Sequence, residues 1–134
     1  MMISTKGRYA LRIMIDLGQH PGQLVPSKEI ADRQGVSIKY LESIARTLSK
    51  KGLILAQVGK NGGYRLAKTP PELSVGEIIK AAEGELIPVS CAGVEKKCEK
   101  SDECLTYPLW VKLENQIYEF LNGITLEDVM EGNI

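Results

Sequence analysis

Residues 37–67 read SIKYLESIARTLSKKGLILAQVGKNGGYRLA, and this stretch decides the fold. Ser37 is placed to cap a helix running to about Lys50, with Val36 and Leu41 as a hydrophobic staple across its start. Leu41, Ile44, Ala45 and Leu48 recur at spacings of three and four, which is one buried helical face. Ile38, Lys39, Tyr40, Glu42, Ser43 and Arg46 fall outside that face. Lys51-Gly52 ends the helix. LILAQV then reads as a strand, GKNGG as a tight turn whose glycines and asparagine accept positive φ, and YRLA as the return strand. Upstream, Ser27 is placed to cap a short helix to Arg33, with Glu29 in its first turn and Gly35 at its end. Two short helices joined by a glycine-containing turn, then a hairpin, predict a winged helix-turn-helix.

Working outward, Tyr9, Ala10, Ile13, Met14 and Leu17 form an apolar face on a helix from Thr5 to about Gly18, followed by the turn-rich GQHPGQLV. On the other side, Ser74-Val75-Gly76-Glu77 is a capping box, which predicts a helix from Val75 to about Ala82 stapled by Leu73 and Ile78. Residues 84–106 show little periodicity, and a stretch of that length within a small domain points to function. Pro108 suits the first turn of a further helix, with Thr106 as its cap. Along it, Leu109, Leu113, Ile117, Phe120 or Leu121, and Ile124 form a stripe widened by Trp110, Val111 and Tyr118. That is more apolar surface than a terminal helix of a small domain can bury alone, so the helix is expected to pair with its twin in a homodimer. Thr125 caps a last short helix. The fold class is thus mainly α with a small β-hairpin wing and a long C-terminal dimerisation helix. The expected division is 1–83 for DNA binding, 84–106 as a cysteine-bearing loop and 107–134 for dimerisation.

The 134 residues carry no formal net charge, but the charge is segregated. Residues 1–68 hold twelve Lys/Arg against four Asp/Glu, and residues 69–134 hold five against thirteen. A basic module is the electrostatic footprint of a polyanion partner, because phosphate contacts release counterions. No run approaches the roughly eighteen apolar residues of a membrane span, and no signal peptide is read at the start, so the expected location is cytoplasmic. With one histidine, no nucleophilic triad and no phosphate-cradling glycine loop, neither an enzyme nor a small-molecule substrate is expected.

All three cysteines, Cys91, Cys98 and Cys104, fall within one short stretch, separated by six and five residues. An odd, clustered set argues against a disulfide framework and for metal, cluster or redox chemistry. Structural zinc uses closely paired Cys hooks and a fourth ligand, which this stretch lacks. Thiolates from well-separated positions suit a polynuclear iron–sulfur cluster, the preferred reading over zinc. Lys96, Lys97 and Lys100 among them either favour thiolate or form a solvated charge run.

STKGRYALRIM, SIKYLESIARTLSKKGLI, the GGYRLAK wing, SVGEII, and Cys-x6-Cys-x5-Cys followed by LTYPLW together resemble the regulator family typified by the iron–sulfur cluster regulator IscR. That family also contains nitric-oxide and cysteine-metabolism regulators. The resemblance runs from about Met2 to Glu131. It implies a sequence-specific transcription regulator that senses through a cluster held by Cys91, Cys98 and Cys104 and controls iron–sulfur biogenesis genes, with 2Fe–2S preferred over 4Fe–4S. It also implies that the helix from Ser37 enters the major groove of an operator duplex. Ser37, Lys39, Tyr40, Glu42, Ser43 and Arg46 are the side chains available to read bases there. Glu42 either accepts from cytosine N4 or pairs with Arg46 one turn on. Lys60, Asn61 and Gly62 form a wing tip for phosphates or the minor groove, and Thr5, Lys6 and Arg8 suit backbone contacts, through amides as well as side chains. Tyr9 and Tyr64 read as core aromatics.

In IscR-like members a histidine three residues past the last cysteine completes the cluster site, and here that position is Tyr107. The fourth ligand is therefore open, with Tyr107, Glu103, Asp102 or a group from the partner subunit as candidates. His20, in the connector, reads as a surface residue. Three other functions stay in view: a cluster-free redox or cysteine-metabolism repressor, a nitric-oxide-responsive repressor, and a cluster-carrying electron-transfer protein.

Overall fold

A computed structural model describes residues 3–84 and 104–134. Cys91, Cys98, Asp102 and Glu103, and the expectations attached to them, lie outside the described residues. The described elements run α1 (Thr5–Gly18), α2 (Ser27–Gln34), α3 (Ile38–Lys50), β1 (Ile54–Gln57), β2 (Gly63–Leu66), a 3-10 turn (Pro70–Glu72), α4 (Val75–Glu83), α5 (Tyr107–Asn122) and α6 (Leu126–Glu131). This is the predicted winged helix-turn-helix with a long C-terminal helix. Among the described residues, no helix is long and apolar enough to cross a membrane.

The core is the one the spacing of apolar residues dictates. Ala10, Ile13, Met14 and Leu17 of α1 meet Ile30 and Ala31 of α2, and Leu41, Ile44, Ala45 and Leu48 of α3. Val25, Leu53, Ile54, Leu73, Ile78, Ala82 and Leu126 close it from the flanking elements. Ser37 caps α3 by accepting from the Tyr40 amide at 3.1 Å, and Gly35 ends α2 in the left-handed region at φ 69°. The N-cap of α2 is Pro26 rather than Ser27, which is the first helical residue. Proline holds the extended backbone that an N-cap needs, and its missing amide would be unpaired there in any case.

The wing is an antiparallel pair with Ile54 opposite Leu66 and Gln57 opposite Gly63. A third segment docks on it: Val25 and Tyr64 exchange two backbone hydrogen bonds of 2.9 Å. Gly63, at φ 153°, lies against this docking point, and a Cβ there would stand 2.5 Å from the Val25 carbonyl oxygen and 2.9 Å from the Pro26 nitrogen.

Beyond the wing, three capping boxes follow one another: Thr69 with Glu72, Ser74 with Glu77, and Thr125 with Asp128. The starts of α4 and α6 are also bonded to each other. The Val75 amide donates to Ile124 O at 2.8 Å and the Leu126 amide to Leu73 O at 2.8 Å. Gly76 lets α5 come close, since a Cβ there would overlap the Asn122 side chain and lie 3.0 Å from the Asn122 backbone nitrogen. Ile117, Tyr118, Leu121 and Ile124 pack on Val75 and Ile79 in a second, smaller cluster. The other side of α5 stays open, with Leu109 56% exposed, Leu113 41% and Phe120 62%. Thr106 precedes α5 but makes no capping bond to it.

Candidate nucleic-acid interface and cysteine segment

The capped start of α3 points a polar surface away from the core. Ser37, Lys39, Ser43 and Arg46 are exposed, while Tyr40 and Glu42 are half-buried. Tyr40 has a structural duty as well, since its ring meets the Tyr9 ring edge-on at 6.1 Å between centroids. The Arg12 guanidinium stacks 5.0 Å over Tyr9. This aromatic pair brings the first turns of α1 and α3 together, so the basic start of α1 borders the recognition surface. Tyr9 and Tyr64 both pack on the main core, as read. Among the described residues Glu42 forms no ion pair with Arg46, which leaves its carboxylate available to a base edge or to reject one.

On α1, Thr5 and Arg8 are exposed and Lys6 is half-buried, and Arg8 Nη2 donates to Thr5 Oγ1 at 3.3 Å. The Gly7 amide, however, is already taken by Glu83, so this turn faces outward mainly through side chains. At the wing tip Lys60 and Asn61 are exposed. Gly62 is required there, because a Cβ would overlap the Gln57 carbonyl oxygen. No hydrogen bond or ion pair joins Lys60 or Asn61 to α3 side chains among the described residues.

One group that holds this surface in place was not singled out from sequence. Asp16 is 3% exposed and accepts from Arg33 Nε at 2.9 Å, Arg33 Nη2 at 2.8 Å and Gln34 Nε2 at 3.1 Å. Burial pushes its pKa up, but the hydrogen bonds from Arg33 and Gln34 and the charges of Arg33 and His20 outweigh that and leave it lowered. His20 Nδ1 lies 2.7 Å from the Asp16 carbonyl oxygen, so the connector histidine is tied to the end of α1. The signal was present: Asp16 shares a helical face with Ile13 and Leu17, and a carboxylate on a buried face needs a partner.

Of the cysteines, Cys104 is described. Its sulfur lies 3.1 Å from Thr106 Oγ1. Thr106 stands at the N-cap position of α5 in helical rather than extended backbone, φ −89° and ψ −15°, and its hydroxyl makes no bond to the helix amides. That hydroxyl first, then the Thr106 backbone and last the Tyr107 backbone, lower the Cys104 pKa and outweigh the opposing effect of burial. A thiol held toward thiolate is the donor form that iron or zinc requires. Tyr107 follows on the first turn of α5, and its amide donates to the Cys104 carbonyl at 3.3 Å.

A capped recognition helix, a docked wing and a basic first turn define a winged-helix DNA-binding protein. Residues 3–132 match the family model named Rrf2, iron-dependent transcriptional regulator. The chain is 40% identical over 133 residues to the HTH-type transcriptional regulator IscR of Pectobacterium atrosepticum, covering 98% of this chain and 80% of that protein. It is also 40% identical to the IscR of Aliivibrio salmonicida over 134 residues, covering 99% of this chain and 79% of that one. Among solved structures, T. potens IscR superposes with a TM-score of 0.77 at 37% identity, covering 100% of this chain and 89% of that one. CymR, the global cysteine regulator of B. subtilis, gives 0.76 at 35% identity, covering 98% and 97%. The chain belongs to the Rrf2 family of transcriptional regulators.

Proposed function

We propose that this regulator binds its operator as a homodimer and senses through an iron–sulfur cluster held by Cys91, Cys98 and Cys104, controlling iron–sulfur biogenesis genes. The observation that carries the cluster reading is Cys104, whose sulfur is held toward thiolate by Thr106 at the very start of α5. The iron-dependent family description and the IscR relatives support it. Bound there, the cluster would supply a centre responsive to iron and redox state. The 2Fe–2S form is our reading, with Tyr107 or Glu103 as candidates for the fourth position. The chain's own part is to link the cysteine stretch, residues 84–106, to the DNA-binding unit, residues 1–83, and to the dimerising unit, residues 107–134. Leu109, Leu113 and Phe120 supply the apolar surface for the second copy.

In DNA recognition, Ser37, Lys39, Tyr40, Glu42, Ser43 and Arg46 meet base edges, with Tyr40 also braced by Tyr9. Lys60, Asn61 and Gly62, together with Thr5, Lys6 and Arg8, meet the sugar–phosphate backbone. Lys39→Ala is expected to lose about 1–3 kcal/mol of discrimination at the base it reads. Lys60→Ala should weaken all sequences alike and lower the salt slope by about one. Titrations on operator and scrambled duplexes at several salt concentrations check both. If both variants bind like the parent, the groove assignment is wrong.

A second reading is favoured by the likeness to the cysteine regulator CymR, nearly as close as that to T. potens IscR. In it the cysteines act as redox thiols without a cluster. Absorption spectroscopy of protein isolated without oxygen separates the two. The expected result is a coloured protein with sulfur-to-iron charge-transfer bands that disappear in the Cys91→Ala, Cys98→Ala and Cys104→Ala variants. A colourless protein that takes up no iron on reconstitution would sink the cluster reading.

A further inference from the structure

The first turn of α1 is capped from another helix. Ser4 occupies the N-cap position, yet its side chain makes no capping bond to the helix. The acceptor comes from the last residue of α4. Glu83 Oε1 accepts from the Ser4 amide at 2.9 Å, from the Gly7 amide at 2.9 Å and from the Ser4 hydroxyl. Gly7 is matched to this approach, because a Cβ there would overlap Oε1. A carboxylate at a helix N-terminus is favourable through both the orphan amides and the helix dipole.

A negative group this close to a surface meant for phosphate costs long-range attraction, a cost that a gain in positioning can offset. Lys6 and Arg8 flank Gly7, the residue whose amide the carboxylate holds. Glu83 therefore fixes the direction in which both cations leave the helix. It also ties them to α4, from whose end the chain continues through Gly84, at φ 79°, toward Cys91 eight residues on.

We propose that Glu83 is a positioning residue for DNA binding: it locks the first turn of α1 so that Lys6 and Arg8 are held for backbone phosphates. This rests on the reading that the first turn of α1 meets the DNA backbone. Glu83 itself touches no DNA.

The test uses the full chain and measures affinity for operator and scrambled duplex over a range of salt, with thermal unfolding alongside. Glu83→Ala is expected to weaken both duplexes about tenfold and to reduce the salt slope by about one to two, the contribution of one or two phosphate contacts. Glu83→Gln keeps an acceptor oxygen and should recover most of that loss. Gly7→Ala should reproduce the defect by displacing the end of the Glu83 side chain. Alanine is the better helix former, so this variant remains informative should Glu83→Ala fold poorly. The discriminating measurement is the combination with Lys6→Ala/Arg8→Ala. In the parent this pair should lower the slope by about two, and in the Glu83→Ala background it should add little. Full additivity, or parental binding by Glu83→Ala and Gly7→Ala while Lys6→Ala/Arg8→Ala weakens it, overturns the positioning role. If Lys6→Ala/Arg8→Ala itself has no effect, the reading of α1 fails instead.

Discussion

Gly63→Ala is expected to lower unfolding free energy by about 4 kcal/mol and to weaken binding to every DNA sequence by more than tenfold. Three costs combine. The residue sits at φ 153°, where a side chain adds about 1–2 kcal/mol of backbone strain. Its Cβ would press on backbone atoms of Val25 and Pro26, which cannot swing aside as a side chain would. Relieving that contact parts Val25 from Tyr64 and gives up their two hydrogen bonds, about 1 kcal/mol each. The effect on DNA follows because the docked segment is what fixes the wing relative to the start of α2. A urea titration and a binding curve on operator and scrambled duplexes check both parts. A variant with parental stability and affinity would show that Val25 does not anchor the wing.

Asp16→Ala should cost about 3 kcal/mol. The carboxylate is buried and accepts three hydrogen bonds, two from a single guanidinium, and removing it strands Arg33 and Gln34 at the end of α2. Arg33 is 39% exposed and recovers some hydration, which keeps the loss below that of a fully buried pair. The pH dependence has a definite sign. Because the folded-state pKa lies below the ordinary 3.8, the stabilisation is present above that value and is lost as pH falls through the lower, folded-state one. The gap between parent and variant should therefore be constant from neutral pH down to about pH 5 and close in stronger acid. A gap that persists undiminished into strong acid would show that the charge of the Asp16 carboxylate does not carry the stabilisation.

How much of this could be read beforehand depends on the range of the interaction. The buried face of α3, Leu41, Ile44, Ala45 and Leu48, follows from helical spacing alone, and the caps at Ser37, Ser74 and Thr125 are local. The wing follows from its glycines. What escaped were contacts between residues far apart in the chain. Glu83 lies seventy-six residues from Gly7, and nothing in either neighbourhood announces the other. Asp16 left a readable mark on an apolar face, but its partners on α2 did not. At the start of α5 the sequence offered Thr106 as a cap, but its backbone there is helical rather than extended and its hydroxyl bonds no helix amide. The three-cysteine pattern was legible as chemistry, and two of its members lie outside the described residues.

The backbone bonds between the starts of α4 and α6 give α5 one anchored end. Its Asn122 end sits against Gly76 and leads directly into the pair of 2.8 Å bonds at Ile124 and Leu126. The Cys104 end lies sixteen helical residues away, about 24 Å at 1.5 Å per residue. Geometrically, the packing of Ile117, Tyr118 and Leu121 on Val75 and Ile79 places the held part of α5 at its Asn122 end and leaves the cysteine at the far one. A swing of about 5° at the held end carries the far end about 2 Å, and the same ratio runs in reverse. A displacement of under an ångström at the Cys104 end thus corresponds to a rotation of a degree or two along the exposed face of Leu109, Leu113 and Phe120.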